Sequence, residues 1–154
     1  MIRSESNIDF RGDRRRIDQA IYAELTAIGL DMERTAVQYL DSRNINVDGD
    51  IRDSIRSEVK KAIDSFLLSL GANAPHAIFV HEGTKPHWPP AKPIRVWVHK
   101  KLNVPAEEID TVTYLVQRKI AREGTKAKPF LGVAFRAHVN KVGGRIGRAI
   151  ERGI

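Results

Sequence analysis

The sequence has no cysteine and no long apolar run, and these two absences limit what the protein does and where it works. Without cysteine the chain forms no disulfide and no thiolate metal site, which suits a reducing compartment. None of its apolar runs approaches the ~20 residues that a membrane-spanning helix needs. Residues 1–16 are too polar and too charged for a signal peptide. We therefore expect a soluble protein that is made inside the cell and has no membrane partner.

The sequence motifs of the common enzyme classes are also missing. His81-Glu82 is followed by Gly83-Thr84-Lys85, which ends the helix that a His-Glu-x-x-His zinc site requires. The same Gly-Thr-Lys lacks the first glycine, the strand and the helix of a phosphate loop. An acidic cluster at Asp48, Asp50 and Asp53 lacks the ligand order and the final glutamate of a calcium loop. We predict that the protein is not an enzyme and holds no cofactor and no metal.

Length and charge suggest one domain with an uneven surface. The 154 residues, 42% of them hydrophobic, suit a single domain over 1–154 with a real core. We expect the termini, about 1–12 and 145–154, to be flexible or to depend on a partner for order. Residues 1–77 hold 11 basic and 13 acidic side chains, a net charge of −2, whereas residues 78–154 hold 15 and 6, a net charge of +9. Such asymmetry suits contact with nucleic acid, contact with an acidic partner, or simple solubility.

A proline-rich stretch, residues 81–97, is the most constrained part of the chain. It holds four of the seven prolines and both tryptophans. Its prolines forbid regular helix or central strand between about Lys85 and Lys92. Gly83 ends a short apolar run where a helix would stop with positive φ, and Pro93 stands where the next helix would begin. The stretch is therefore predicted to be an ordered loop between two helices.

Part of this loop occurs a second time. Glu-Gly-Thr-Lys stands at 82–85 before Pro86, and again at 123–126, where Pro129-Phe130-Leu131 follows. In these two segments, and in Gly49–Ile55, the chain resembles the tail-component family of long-tailed phages, which comprises tail completion and head-tail joining proteins. The resemblance covers roughly residues 46–138. In the short helix before the loop, His76 and His81-Glu82 differ from the aromatic and acidic residues in the pattern of that family.

The resemblance implies a structural virion protein that is made in the host cytoplasm and works in the neck or tail. It would be a subunit of a homo-oligomeric ring between the portal or adaptor proteins and the tail tube or terminator protein, with non-specific contact to DNA in the channel. The structural loop residues would then be Gly83, Thr84, Pro86, Trp88, Pro89, Gly124 and Pro129. The candidate interface residues are Arg14, Arg15, Arg16, Trp88, Arg145 and Arg148.

An alternative function follows from charge alone. Arg14 to Arg16 and the C-terminal arginines suit a basic DNA-binding accessory protein that contacts phosphates non-specifically, although the chain has no sequence-reading motif. The helix dipole disfavours three arginines in the first turn, because the N-terminal end of a helix is itself positive. These arginines therefore either point into solvent or bind phosphate or a partner.

The N-terminal third predicts one long helix. Apolar residues recur every three or four positions from Ile17 to Leu40, which predicts a helix over about 14–43. Asp13 is its predicted N-cap, and Asn44 lies near its end. Gly29 weakens such a helix by about 1 kcal/mol relative to alanine, and it marks either a bend or close packing.

The next segment favours a β-hairpin over about 55–71. Its apolar residues alternate at period two, so Phe66, Leu68 and Leu70 are expected to face the long helix, with the strands joined near Lys61-Ala62. A helical face also fits these residues, and the resemblance to the phage family favours the hairpin. Three shorter helices are predicted after the proline loop, beginning at Pro93, Pro105 and Pro129. The predicted fold is thus α+β, a long N-terminal helix on a small antiparallel sheet followed by three helices.

The two tryptophans leave two interpretations open. Trp97 is expected in the core and Trp88 against the sheet, where it would close its own loop. Alternatively, Trp88 is an anchor at a subunit contact, a position where tryptophan is enriched.

Overall fold

Helix α1 (Phe10–Ser42) is the element on which the sheet and the C-terminal helices pack. The structure is a computed structural model, and it describes residues 10–45 and 49–153. The long predicted helix is confirmed, but it begins four residues earlier than expected. Asp13 therefore lies in the first turn of α1 and is not its N-cap. The helix ends as predicted, because Asn44 adopts φ 51° and turns the chain away. The side chains of α1 buried in the core are Leu25, Ile28, Met32, Ala36 and Leu40.

The predicted hairpin is also confirmed. A one-turn helix, α2 (Asp50–Ser54), leads into β1 (Ile55–Lys61), which pairs antiparallel with β2 (Phe66–Ala72). Phe66, Leu68 and Leu70 pack against the core formed with α1, as predicted from their alternation. The strands are joined by residues 62–65, slightly later than expected, where the Ala62 N–H donates to the Ser65 carbonyl at 2.8 Å.

Gly29 marks the close approach of α1 to the hairpin. A Cβ at this position would lie 2.5 Å from Ser57 Oγ, so only glycine lets the strand come so near. One turn further on, Glu33 Oε1 accepts hydrogen bonds from the Ser57 N–H at 2.5 Å and from its hydroxyl at 2.6 Å. Close packing therefore explains this glycine.

The C-terminal part forms a second layer on α1. Helix α6 (Phe130–His138) follows Pro129, as predicted, and buries Phe130 completely. A 3-10 turn at Val139–Lys141 separates it from α7 (Val142–Gly153), so the last of the three predicted helices is in fact two.

Residues 145–153, for which flexibility or order that depends on a partner was expected, are helical in the structure. These residues continue α7, which packs on α1, because Arg145 Nε donates to Glu24 at 2.6 Å and Arg145 Nη1 to Asp31 at 2.7 Å. Residue 154 and residues 1–9 lie outside the described part of the chain.

Between these layers the chain leaves the main body and returns. Helix α3 (Ala77–Glu82) ends at the proline loop, α4 (Ala91–Lys101) follows it, and α5 (Ile109–Glu123) returns after a 3-10 turn at Ala106–Glu108. Helices α4 and α5 pack mainly against each other, and we call residues 91–123 the α4–α5 arm. Helix α4 begins two residues before Pro93, which sits in the first turn, where no N–H is needed. The buried residues of the arm, which lie outside the main core, are Val98, Ile109, Thr113 and Gln117.

Among the described residues, none of the helices combines the length and the apolar character needed to cross a bilayer.

Candidate functional site

The two Glu-Gly-Thr-Lys segments meet at the junction between the main body and the α4–α5 arm. Thr84 and Thr125 form an isolated antiparallel β-bridge, in which each N–H donates to the carbonyl of the other at 3.0 Å. Their hydroxyl oxygens are also 3.0 Å apart. The Lys128 N–H donates to the Val80 carbonyl at 2.9 Å and extends the junction toward α3. The repeated motif therefore closes the base of the arm, with one copy on the outgoing chain and one on the returning chain.

Both glycines of the repeat have backbone dihedral angles that other residues rarely adopt. Gly83 has φ 74° and ψ −176°, and Gly124 has φ 70° and ψ −159°. The predicted positive φ is confirmed, although ψ places both residues outside the left-handed helical region, in one that essentially only glycine reaches. A Cβ on Gly83 would overlap the Thr125 carbonyl oxygen, and one on Gly124 would overlap the Thr84 carbonyl oxygen. Gly124 is thus as constrained as Gly83.

The proline loop is held from inside the arm. Pro89 is buried, and its carbonyl accepts a hydrogen bond from the buried Gln117 amide at 2.8 Å. One interpretation expected Trp88 to pack against the sheet, and the structure places it elsewhere. Its side chain is 55% exposed and lies on the Tyr114 ring of α5, with ring centroids 5.8 Å apart. Trp97 is only half-buried and lies outside the main core. The interpretation of Trp88 as a contact anchor stays open.

A cleft of about 790 Å³ opens between α3 and the base of the arm. Its walls are mostly apolar and come from both sides of the junction, and Ile45, just beyond the end of α1, belongs to them. Three lysines, Lys85, Lys126 and Lys128, line it as well, and none of them forms an ion pair within the described residues. No described carboxylate lines the cleft. The main apolar lining residues are Phe79, Val80, Pro93, Ile94 and Ile120.

The structure does not bring the predicted interface arginines together. Arg14 binds Asp64 of the hairpin loop at 3.0 Å, and Arg16 lies 4.0 Å from Asp13. Arg15 and Arg148 are exposed and make no ion pair within the described residues.

Arg145 is a different case, because it belongs to the folded body and not to a free surface. Its side chain is 25% exposed and bridges Glu24 and Asp31 of α1. The hydrogen bond from Arg145 is the main reason that the pKa of Asp31 lies below its ordinary value, and the carboxylates raise the pKa of Arg145 in turn. Arg145 therefore joins α7 to α1.

Sequence reasoning missed the cleft and the polar contacts across the core. The cleft needs two segments 41 residues apart in sequence to meet, and only the repetition of Gly-Thr-Lys indicated this. His138 Nε2 lies 2.8 Å from the Thr35 hydroxyl, and the buried Nδ1 of His81 has no partner within the described residues. His81 packs edge-on against Phe130, with ring centroids 5.3 Å apart. In the described part of the chain, no group of three or more potential metal ligands occurs.

Comparison of the chain with protein families, with curated proteins and with solved structures gave no match.

Proposed function

We propose that this chain is a structural virion protein of the phage neck or tail, a ring-forming subunit of the tail completion or head-tail joining class. The proposal rests first on the two Gly-Thr-Lys segments and their resemblance to the phage tail-component family. The observation that carries it is that these segments bond to each other and form one structural unit at the base of the arm. A motif that occurs twice in one chain is explained when both copies build the same junction.

The exposed surface supports a role in assembly. The hairpin is two-stranded, and within the described residues neither outer edge is paired with another strand. Such edges accept a strand from another chain unless they are protected. Large apolar side chains are exposed on both sides of the arm junction and on the hairpin, which suits surfaces that become covered in an assembly. The most exposed of them are Ile63, Leu67, Ile78, Phe79 and Trp88.

A ring explains how modest contacts become a strong joint. In a closed ring each subunit presents two different patches, one to each neighbour, so one interface repeats around the axis. Adjacent portal, adaptor or tail proteins then meet many identical sites at once, and multivalency strengthens the joint. The role is geometric, so the proposal assigns the chain no catalytic residue.

The experiment that tests this function is deletion of the gene from a phage that carries it. We expect DNA-filled heads and finished tails to accumulate without joining, as seen by electron microscopy of the lysate, and the wild-type gene supplied in trans should restore joined virions. Normal virions in the deletion lysate, with infection failing at a later intracellular step, would contradict the neck assignment.

That outcome would favour the second candidate, non-specific DNA binding. The observation behind it is that Arg15, Arg148 and the three lysines of the cleft have no acidic partner within the described residues. Cations of this kind suit phosphate contacts, which supply most of non-specific DNA affinity.

A further inference from the structure

We propose that the outer edge of β2 binds one extended segment of a partner protein as a third strand of the sheet. The segment that fits has apolar side chains at alternate positions and carries a carboxylate. The inference goes beyond the proposed function and does not depend on the phage assignment, because it rests on strand geometry.

The register of the hairpin shows which backbone groups point away from it. The Ala62 N–H donates to the Ser65 carbonyl and the Asn73 N–H donates to the Ser54 carbonyl, and both pairs continue the β1–β2 register. Hydrogen-bonded and non-hydrogen-bonded pairs alternate along an antiparallel ladder. The N–H and C=O groups of every second residue of β2 therefore point away from β1. These residues are Phe66, Leu68, Leu70 and Ala72.

The outer edge of β1 is closed by the chain itself. The Ser57 N–H donates to Glu33 of α1, and the Ile55 N–H donates to the Arg52 carbonyl. The Ile55 carbonyl accepts a hydrogen bond from the Arg56 guanidinium at 2.6 Å. A further strand would therefore pair with β2 and not with β1.

The outer edge of β2 is open within the described residues. The outward N–H and C=O groups of Leu68 and Leu70 have no hydrogen-bond partner there. Edge strands are usually protected by lysine, proline, other charged residues or a bulge. The sequence of β2 is Phe-Leu-Leu-Ser-Leu-Gly-Ala, and it pairs with β1 residue for residue, so it has none of these protections. Backbone groups at this spacing are matched by another extended backbone, which defines the class of occupant.

A groove of about 420 Å³ lies beside this edge, between β2 and α6. Leu68 and Leu70 line it from the strand, and Leu131, Gly132 and Phe135 line it from the helix. The Phe135 side chain is 52% exposed. An added strand would place every second side chain over this helix and cover Phe135, so those side chains need to be apolar.

The spacing of the layers favours a single segment over a second copy of the hairpin. Helix α6 packs on α1, and α1 packs more on β1 than on β2. Packed helices are roughly 8–10 Å apart, whereas neighbouring strands are about 4.8 Å apart, so α6 extends beneath the position of a third strand. Antiparallel pairing of β2 with β2 of a second copy would bring a second α6 into the same space. One extended segment brings no such helix.

Charge defines one more property of the segment. Arg136 lines the groove, is exposed and forms no ion pair within the described residues. No described carboxylate lines the groove. A carboxylate on the bound segment would therefore meet an unpaired guanidinium, which orients the segment and makes binding sensitive to salt.

Amide hydrogen exchange of the full-length protein, followed by NMR, tests the proposal. The probe is a synthetic peptide as long as β2, in which valine alternates with threonine and one threonine is replaced by glutamate. Without peptide we expect the amides of Leu68 and Leu70 to exchange freely, whereas those of Leu67 and Ser69, which face β1, are protected. Saturating peptide should slow exchange at Leu68 and Leu70 at least tenfold. The same peptide N-methylated at every residue cannot pair and should give no protection.

Two leucine substitutions separate the groove from general effects. Gly132→Leu fills the groove, and a Cβ at this position meets only the flexible Arg136 guanidinium, at 3.3 Å, so the fold should persist. The matched control, Gly143→Leu, adds the same side chain in α7, where no atom lies within 4 Å of the added Cβ. We expect Gly132→Leu to weaken peptide binding at least tenfold and Gly143→Leu to leave it unchanged. Arg136→Gln should remove the preference for the glutamate peptide over its all-threonine counterpart.

Three outcomes overturn the inference. Slow exchange at Leu68 and Leu70 in the peptide-free protein at every dilution would mean that the chain itself occupies the edge. Protection that rises with protein concentration without peptide would make a second copy the occupant. Absence of protection by the peptide, or equal protection by its N-methylated form, would show that the edge accepts no strand. The deletion phage does not enter this test, so the strand proposal and the neck function fail separately.

Discussion

Replacing either glycine of the repeated motif tests the junction most directly. Gly124→Ala forces a Cβ onto a residue with φ 70° and against the Thr84 carbonyl oxygen. Strain at such a backbone position is about 1–3 kcal/mol. Relieving the overlap opens the bridge, whose two backbone hydrogen bonds contribute about 0.5–1.5 kcal/mol each. The expected loss in the free energy of unfolding is therefore about 2–6 kcal/mol, and the same estimate holds for Gly83→Ala.

The two substitutions should not add. Both act by opening the same Thr84–Thr125 bridge, so the double variant loses those hydrogen bonds only once and falls short of the sum of the single effects. Gly143→Ala is the matched control, because Gly143 is an exposed position in α7 with no atom within 4 Å of the added Cβ. That change should leave stability unchanged or raise it by up to about 1 kcal/mol.

Urea unfolding provides the measurement, and two spectroscopic probes separate the unfolding of the arm from that of the whole protein. Trp97 belongs to the arm and Trp88 packs on the arm residue Tyr114, so tryptophan fluorescence follows that region, whereas far-ultraviolet circular dichroism follows the whole helical content. We expect the fluorescence transition to move to lower urea at least as far as the dichroism transition. If both glycine variants unfold within about 0.5 kcal/mol of Gly143→Ala, the argument that the bridge depends on these two backbones is refuted.

Two further changes test the core and the C-terminal contact. Phe130→Ala should lower the free energy of unfolding by about 3–5 kcal/mol because the Phe130 ring is fully buried. Phe66→Ala should lower it by less because the Phe66 ring is only partly buried. Equal losses in urea unfolding would show that burial does not determine the size of these effects. Arg145→Met should destabilise the protein by about 1–3 kcal/mol near neutral pH. This range is the usual contribution of charge-assisted hydrogen bonds to stability, reduced because the site is partly exposed to solvent. Since the pKa of Asp31 is lowered in the folded state, its contribution is present above the unfolded value of 3.8 and is lost as pH falls through the folded value. Unfolding curves between pH 7 and pH 2.5 should therefore show a smaller acid-induced loss in Arg145→Met than in wild type, and parallel profiles would argue against the Asp31 linkage.

Local sequence patterns were enough for most of the secondary structure. The three-and-four spacing from Ile17 to Leu40 predicts α1, and the alternation at Phe66, Leu68 and Leu70 predicts the inner face of the hairpin. These patterns succeed because helices and strands repeat their side-chain directions at fixed periods. The boundaries were less certain. Asp13 suggested a helix start that the structure moves to Phe10, since several residues in a row are able to begin a helix.

The C-terminal segment shows where local reasoning fails. Gly143, Gly144 and Gly147 stand in this segment, and glycine is a poor helix former. The structure has α7 there, since α1 supplies a packing surface and two carboxylates for Arg145. Tertiary contacts outweigh a propensity difference of about 1 kcal/mol per glycine.

By itself, the sequence determined the α+β class, the long helix, the hairpin and the need for glycine at positions 83 and 124, because backbone limits and side-chain periods are local properties. Only the tertiary structure decided that the two Gly-Thr segments bond to each other, that Trp88 lies on Tyr114 and that Arg145 serves α1. Each of these facts joins residues that are distant in sequence, and no local pattern specifies which distant groups will meet. The cleft arises in the same way, from the space left where the arm returns to the body.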